Sequence, residues 1–294
     1  MADPTRMRIC AVLLQCELSV NEIVALFGMG QSRISRHLKI LADCGILSCR
    51  RDGLWSFYTV AAKGDGKQFI DAISYLFKIS IFGDDIHRAE ELLRERREGL
   101  VRFFNDAVRD WDRSRKEVLG SFNLDEAISA RINGSGQLAD LGCGDGNLAY
   151  LLASRGFSVI GVDASPGMIT AARKKIGTME KQLEFRIGEL EHLPLRDGEC
   201  DTAVVALALH HLSAPQEGLS EIWRILSKSG RIVIADFEKH GDETMRQRHH
   251  DLWLGFSREE IAKWLTAAGF RLDSRETFKL ESGISLALIS AIKL

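Results

Sequence analysis

The sequence lacks most features that would assign it to a special class at once. It has no charge excess: 39 Lys and Arg stand against 41 Asp and Glu, a formal net charge of −2. The chain as a whole therefore gives no nucleic-acid or membrane signal, and any basic surface must be local. Six cysteines, at 10, 16, 44, 49, 143 and 200, include no paired Cys-x-x-Cys, which argues against a disulfide framework. No apolar run approaches a membrane span. Met1 to Cys10 has no apolar core followed by a small-residue cleavage site, so a cytoplasmic protein is expected. What is present is ordinary for a globular protein: 45% apolar and 27% charged residues. At 294 residues the chain exceeds the usual single domain, and two are expected.

The stretch most loaded with information is Leu138-Ala139-Asp140-Leu141-Gly142-Cys143-Gly144-Asp145-Gly146. It reads as a short apolar strand, a glycine-dense turn and a helix beginning near Asn147. Glycine is needed where backbone turns sharply and approaches a ligand. The free N–H groups of the following helix suit a polar ligand. From Gln137 onward strands and helices alternate, which argues for a parallel α/β sheet. The strands expected are Gln137–Leu141, Ser158–Val162, Leu183–Ile187, Thr202–Leu207, Arg231–Phe237, Arg271–Thr277 and Ser285–Ile292, with helices near Asn147–Ser154, Gly167–Ile176, Gln216–Leu226 and Ser257–Ala268. Ser257 and Glu260 form a capping box.

The first eighty residues follow another grammar. Arg8 to Gln15 has helical spacing. Ser19 can cap a helix over Val20–Phe27, with Glu22 completing a capping box. After the Gly28–Gly30 turn a second helix, Gln31–Cys44, places Ile34, Leu38 and Leu41 on one face, and Gly45 ends it. Two apolar runs then flank Asp52-Gly53, a hairpin signal. Helix-turn-helix followed by hairpin describes a winged helix. Ser32, Arg33, Ser35, Arg36 and Lys39 lie on the outward face of the second helix, and Arg50 and Arg51 on the hairpin. Short polar and basic side chains early in such a helix suit base edges and phosphates in a major groove. A solvated face is the competing explanation. It accounts less well for charge confined to the one helix and wing that would meet DNA.

Val20–Glu22, Ser32–Leu41, Gly45-Ile46-Leu47 and Tyr58 resemble the ArsR-type winged-helix repressors, over about Thr5 to Ala62. The resemblance implies a homodimer on an inverted repeat of double-stranded DNA. Metal-sensing members carry a Cys-x-Cys in the first helix of the motif; Ser19 and Asn21 stand at those positions, and Cys16 alone makes no soft-metal site. Asp85-Ile86-His87 resembles the start of a zinc site on the dimer helix, but its later His partner is absent, with Glu98 near that spacing. No metal is expected. In such repressors the helix over Asp65–Phe82 pairs across the dimer. Asp84 to Glu117 reads as one or two long charged helices.

The glycine loop, Asp140 and a second acid one strand later, Asp163, resemble the cofactor loop of Rossmann-like S-adenosylmethionine (SAM) methyltransferases, from about Phe103 to Leu294. Ile225–Gly230, Ala267–Phe270 and the segment Phe104–Ala107 with Trp111–Arg113 also resemble that family, the last being similar to its cofactor lid. The resemblance implies a seven-stranded sheet with an antiparallel last strand, and SAM or S-adenosylhomocysteine as ligand. The site would gather Asp140, Gly142, Cys143, Gly144 and Gly146; Asp163 and Ala164, the acid accepting both ribose hydroxyls; Met168 beside the adenine; Gly188, Glu189 and Leu190; and Ala206. A dinucleotide fits less well. Its fingerprint is G-x-G-x-x-G, whereas the spacing here is G-x-G-x-G, and an acid at the strand end disfavours phosphate.

His210 and His211 follow the fourth strand, where an acceptor would enter, and are candidate general bases. The alternative is a structural Leu-His-His-Leu turn. His249-His250 is a weaker candidate pair. No Asp/Asn-Pro-Pro-aromatic and no Pro-Cys is present, which argues against DNA bases as acceptors and leaves a small molecule or none. The expectation is a winged-helix DNA-binding and dimerisation domain at 1–82, a helical linker and lid at 83–120, and a SAM-binding α/β domain at 121–294. Its function would be that of a SAM-responsive repressor, or of a small-molecule methyltransferase whose winged helix serves autoregulation or only dimerisation.

Overall fold

The computed structural model describes residues 3–78, 82–132, 136–175 and 182–294. The chain divides into two compact units, Met1–Glu98 and Gly99–Leu294, taken separately below.

The first unit begins with α1 (Pro4–Leu13), a two-residue strand β1 (Leu18–Ser19), α2 (Val20–Phe27) and α3 (Gln31–Asp43). The capping box forms: Glu22 N–H donates to Ser19 Oγ at 3.3 Å, and Ser19 N–H to Glu22 Oε2 at 2.8 Å. At the end of α3 the Gly45 N–H donates to Ala42 O and the Ile46 N–H to Leu41 O, a Schellman closure, and Gly45 takes the left-handed φ of +68° it requires. The wing is β2 (Leu47–Asp52) and β3 (Trp55–Val60), with β1 on the far edge of β3. Its turn differs by one residue from the expected Asp52-Gly53. Asp52 pairs with Trp55, so Gly53-Leu54 is the loop and Gly53 supplies the positive φ at its first position. Asp52 is a buried strand residue instead.

There follow α4 (Asp65–Ile73), a 3-10 turn over Ser74–Lys78, and α5 (Gly83–Ala107), within which the chain passes into the second unit. The expected helix over Asp65–Phe82 is thus broken; residues 79–81 lie outside the described segments. Ile9, Leu13, Ile23, Ile34, Leu38, Leu41 and Ile70 form the core, each fully buried. Each such side chain contributes about 1.5–3 kcal/mol relative to exposure.

The second unit opens with α6 (Trp111–Leu119) and α7 (Leu124–Ser129). Then come β4 (Gln137–Leu141), α8 (Asn147–Ser154), β5 (Ser158–Asp163), α9 (Pro166–Lys175), β6 (Leu183–Ile187), β7 (Cys200–Ala206), α10 (Pro215–Ile225), β8 (Leu226–Phe237), α11 (Thr244–His249), α12 (Arg258–Ala267), β9 (Phe270–Lys279) and β10 (Ser285–Lys293). All seven expected strands are present. Ile176, expected to end the helix after β5, lies outside the described residues. The sheet order is β6-β5-β4-β7-β8-β10-β9, parallel except for β10, which runs antiparallel to both neighbours.

Both faces are covered. Ala139, Ile160, Val205 and Ile234 pack into one apolar layer, and Leu138, Val159, Val204 and Val233 into the other. Strands buried on both faces need near-continuous apolar runs, which these segments have. Strand order reverses between β4 and β7, so the crevice at their carboxyl ends is where such a sheet holds a ligand. Among the described residues no helix is long and apolar enough to cross a membrane.

Candidate functional site

The glycine loop is built as a cradle at that crevice. Gly142, Gly144 and Gly146 take φ of +73°, +52° and +81°. A Cβ on Gly142 would lie 2.7 Å from Ala208 Cβ, and one on Gly144 would lie 3.3 Å from Trp111 Nε1. The loop is pinned to the end of β5. Gly142 and Cys143 donate their N–H groups to Val162 O, and Gly144 N–H donates to Asp163 Oδ2 at 2.9 Å. The other oxygen of Asp163 accepts from Ser165 N–H at 2.8 Å. Each carboxylate oxygen keeps a second lone pair. Burial pushes the Asp163 carboxyl up, against those two N–H groups.

Asp140, on β4 beneath the loop, is buried, and its Oδ2 has no hydrogen-bond partner. Burial first, and then the Asp125 carboxylate, push its pKa up to about 7. A buried carboxylate oxygen without a partner is a costly feature that a cationic ligand would relieve.

The remaining expected cofactor residues are spread around the crevice. Ala164, Gly188 and Ala206 are half-buried, and Glu189 is exposed just past β6. Leu190 and Met168 are buried, so neither has a face directed to solvent. Cys143 is buried as well, and burial raises its thiol well above the ordinary range, which makes it a packing group.

The end of α5 and the start of α6 cover this loop. Asn105 Oδ1 accepts from Gly167 N–H and from Ser165 Oγ–H, both at 2.8 Å, so it caps the N-terminus of α9. Phe104 meets Trp111 edge-on at 5.6 Å and His211 at 5.1 Å, and Phe103 packs on His250 at 4.4 Å. The segment similar to a cofactor lid thus lies over the loop and beside the two histidines.

His210 and His211 occupy a short 3-10 turn (Leu209–His211) after β7. They are not equivalent. His210 is buried, with Nδ1 2.7 Å from Asp236 Oδ1 and Nε2 3.6 Å from Asp251 Oδ1. Burial alone would lower its pKa, but the Asp236 and Asp251 carboxylates push it up to about 9. An imidazolium between two carboxylates has no free lone pair, so of the two expected bases His210 is closed to an acceptor. His211 is half-buried, and burial together with the His210 charge holds it well below the usual range. It is neutral at physiological pH and faces Phe104.

Asp236 and Asp251 are the residues that sequence reasoning missed. Asp236 ends β8, a position at which an acid could have been suspected. Asp251 follows α11 in a loop that carries no motif.

In the first unit the outward face of α3 is as expected: Ser32, Arg33, Ser35, Arg36 and Lys39 are all exposed. Arg51 is exposed on the wing. Arg50 departs from that pattern. Its guanidinium pairs with Glu17 at 2.7 Å and Asp52 at 3.1 Å and lies 4.4 Å from the Phe57 ring centre, so it braces the wing internally. Asp85 is equally committed: Arg8 binds it at 2.6 and 2.8 Å and Arg88 at 2.9 Å, while His87 points to solvent beside Glu90 and Glu91. Asp85 therefore joins α1 to α5, and His87 lies apart from it.

Comparison with known proteins agrees with both halves. Residues 3–48 match the family described as bacterial regulatory protein, arsR family, and residues 139–234 match the family described as methyltransferase domain. The chain is 28% identical over 161 residues to the ubiquinone/menaquinone biosynthesis C-methyltransferase UbiE of Citrifermentans bemidjiense, covering 50% of this chain and 68% of that protein. In fold it is similar to the partner of the Trm112 methyltransferase activator from Haloferax volcanii (TM-score 0.57, 20% identity, 64% of this chain and 96% of that one). It is also similar to the [4+2]-cyclase SpnF (TM-score 0.51, 20% identity, 58% and 79%). One polypeptide thus joins an arsR-family helix-turn-helix to a Rossmann-like methyltransferase domain.

Proposed function

We propose that this protein is a DNA-binding transcriptional regulator whose second unit binds SAM, or its demethylated product S-adenosylhomocysteine, as effector and as methyl donor. The observation that carries the reading is the pairing, in one chain, of an exposed basic reading helix with a carboxylate-lined glycine cradle. Arg33, Arg36, Lys39 and Arg51 offer cations to phosphates, and Ser32 and Ser35 offer hydroxyls to base edges. A homodimer would place two such helices on the half-sites of an inverted repeat.

The cradle fits the cofactor on its own terms. The unpartnered Asp140 oxygen suits a cation, the Gly142–Gly146 backbone admits close approach, and Asp163 retains lone pairs for ribose hydroxyls. When bound, SAM supplies an electrophilic methyl on a sulfonium centre. For methyl transfer this chain's contribution is placement. Phe104 and Trp111 pack edge-on beside the loop, and His211 lies against Phe104 where an acceptor would enter. An apolar or aromatic acceptor matches that lining, and one relative is a ubiquinone/menaquinone biosynthesis C-methyltransferase. The [4+2]-cyclase of similar fold supports keeping binding and transfer separate.

Coupling requires that the ligand bind the DNA-competent and DNA-free states differently. Operator affinity measured with saturating SAM, with S-adenosylhomocysteine and with neither should therefore change by about 5- to 150-fold for at least one ligand. Identical affinities in all three would remove the regulatory reading. Turnover of labelled SAM with quinone-like acceptors tests the donor role.

A further inference from the structure

We propose that His210, His211 and Asp251 form a binding site for one divalent transition-metal ion of the zinc–iron class, with open coordination positions facing the acceptor entrance. One donor atom from each residue lies within 4.8 Å of the other two. His210 Nε2 stands 3.6 Å from Asp251 Oδ1, and His211 Nδ1 stands 4.0 Å from it and 3.4 Å from His250 O, a long hydrogen bond that ion binding would replace. Both spacings to Asp251 exceed a hydrogen bond. Two donors held tetrahedrally on one zinc at about 2.1 Å stand roughly 3.4 Å apart. The spacings are wider than that value by a few tenths of an ångström or more, so a small inward movement of the side chains would bring them onto one ion.

Two independent observations point to an occupant. Both Asp251 carboxylate oxygens are buried without a hydrogen-bond partner, and the side chain is 0% exposed. Buried anions of this kind are paired or coordinate metals. In addition, His210 Nδ1 lies 2.7 Å from Asp236 Oδ1, and Asp236 is itself fixed by the N–H groups of Leu209 and Phe237. A carboxylate behind a histidine fixes the ring with its other nitrogen aimed at a metal, and the ion would displace the proton that His210 Nε2 otherwise holds toward Asp251.

The backbone is shaped around the same point. His250 ends α11 at a left-handed φ of +58°, strained for a non-glycine residue. The Leu252 and Trp253 N–H groups both donate to His210 O at 3.0 Å, which locks the Asp251 loop against the histidine turn. Two imidazoles and one carboxylate are a donor set for zinc or ferrous iron, whereas magnesium prefers oxygens alone. His211 lies at the half-buried, Phe104 side, so the open positions face the entrance.

The site can be tested with Co2+ alone, added to the full-length untagged chain after chelator treatment. Visible d–d absorption should rise and saturate at one ion per chain, without a thiolate charge-transfer band, and Zn2+ but not Mg2+ should displace it. Asp251→Asn and His211→Gln should each weaken binding at least ten-fold. Asp236→Asn, which removes no donor, should weaken it by about 10- to 100-fold. His211→Gln is the safer variant, because that side chain lies at the edge of the core; circular dichroism confirms that each variant is folded. Absence of saturable binding would mean that water fills the gap and would overturn the proposal. Wild-type affinity in folded His211→Gln and Asp251→Asn would overturn it equally.

Discussion

If the glycine cradle holds SAM as proposed, the Asp140 carboxyl makes that affinity a function of pH, with a sign and size that follow from its environment. Its pKa in the free fold is pushed up to about 7 from an ordinary 3.8, by burial and then by Asp125. Across the interval between those values the folded, ligand-free protein holds a proton that the unfolded chain has released. Stability contributed by that proton is lost as pH rises through about 7. Binding of a cationic amino-acid group requires the ionised form, so the proton must leave as the ligand enters.

At one pH unit below this pKa about nine-tenths of the sites are protonated, and at one unit above about nine-tenths are ionised. Affinity should therefore fall about ten-fold between roughly pH 8 and pH 6, or about 1.4 kcal/mol. Titration calorimetry in two buffers of different ionisation enthalpy should register proton release that grows as pH falls through this range. Asp140→Asn should bind more weakly and lose the slope. Asp163 is also pushed up, so the variant is needed to assign the effect. A flat profile, proton uptake, or a slope that survives in Asp140→Asn would refute the reasoning.

Three further outcomes follow from the first unit. Arg33→Ala and Arg36→Ala should each weaken operator binding and lower the slope of log affinity against log salt by about 1, if each side chain meets a phosphate. Arg50→Ala should instead leave that slope and destabilise the wing, because its charge is engaged by Glu17 and Asp52; fluorescence anisotropy across a salt series separates the two. Asp85→Ala should cost about 1.5–3 kcal/mol, the range for hydrogen bonds to charged groups. The larger penalty of a stranded buried charge does not apply, because Arg8 and Arg88 keep 35% and 50% of their side chains exposed. Urea denaturation of the full chain should show the shift in one unit's transition, and an unchanged profile would count against the pairing.

Legibility in the sequence tracked how local each determinant was. The capping boxes at Ser19/Glu22 and Ser257/Glu260 and the Gly45 closure are satisfied within six residues, and all were readable. The strands of the sheet were readable because burial on both faces demands unbroken apolar runs. The wing turn moved by one residue: Asp52 is buried and paired with Trp55 in the ladder, and that burial outweighs the preference of Asp-Gly for a turn. Arg50 itself looked like every other basic residue of the reading surface until Glu17, thirty-three positions away, was placed beside it.

The histidine pair carries that argument furthest. His210 and His211 are adjacent and of one residue type, and no local signal distinguishes them. Asp236 and Asp251, 26 and 41 positions from His210, decide that its ring is held between carboxylates, whereas His211 remains neutral at the entrance. The chemistry of the pair is thus set by where β8 ends and how α11 turns back. A site assembled from two strand ends and a loop can change function through Asp251 alone, with the glycine loop and its resemblance left intact. Substitution at Asp251, more than in the cofactor loop, should therefore separate metal occupancy from cofactor binding.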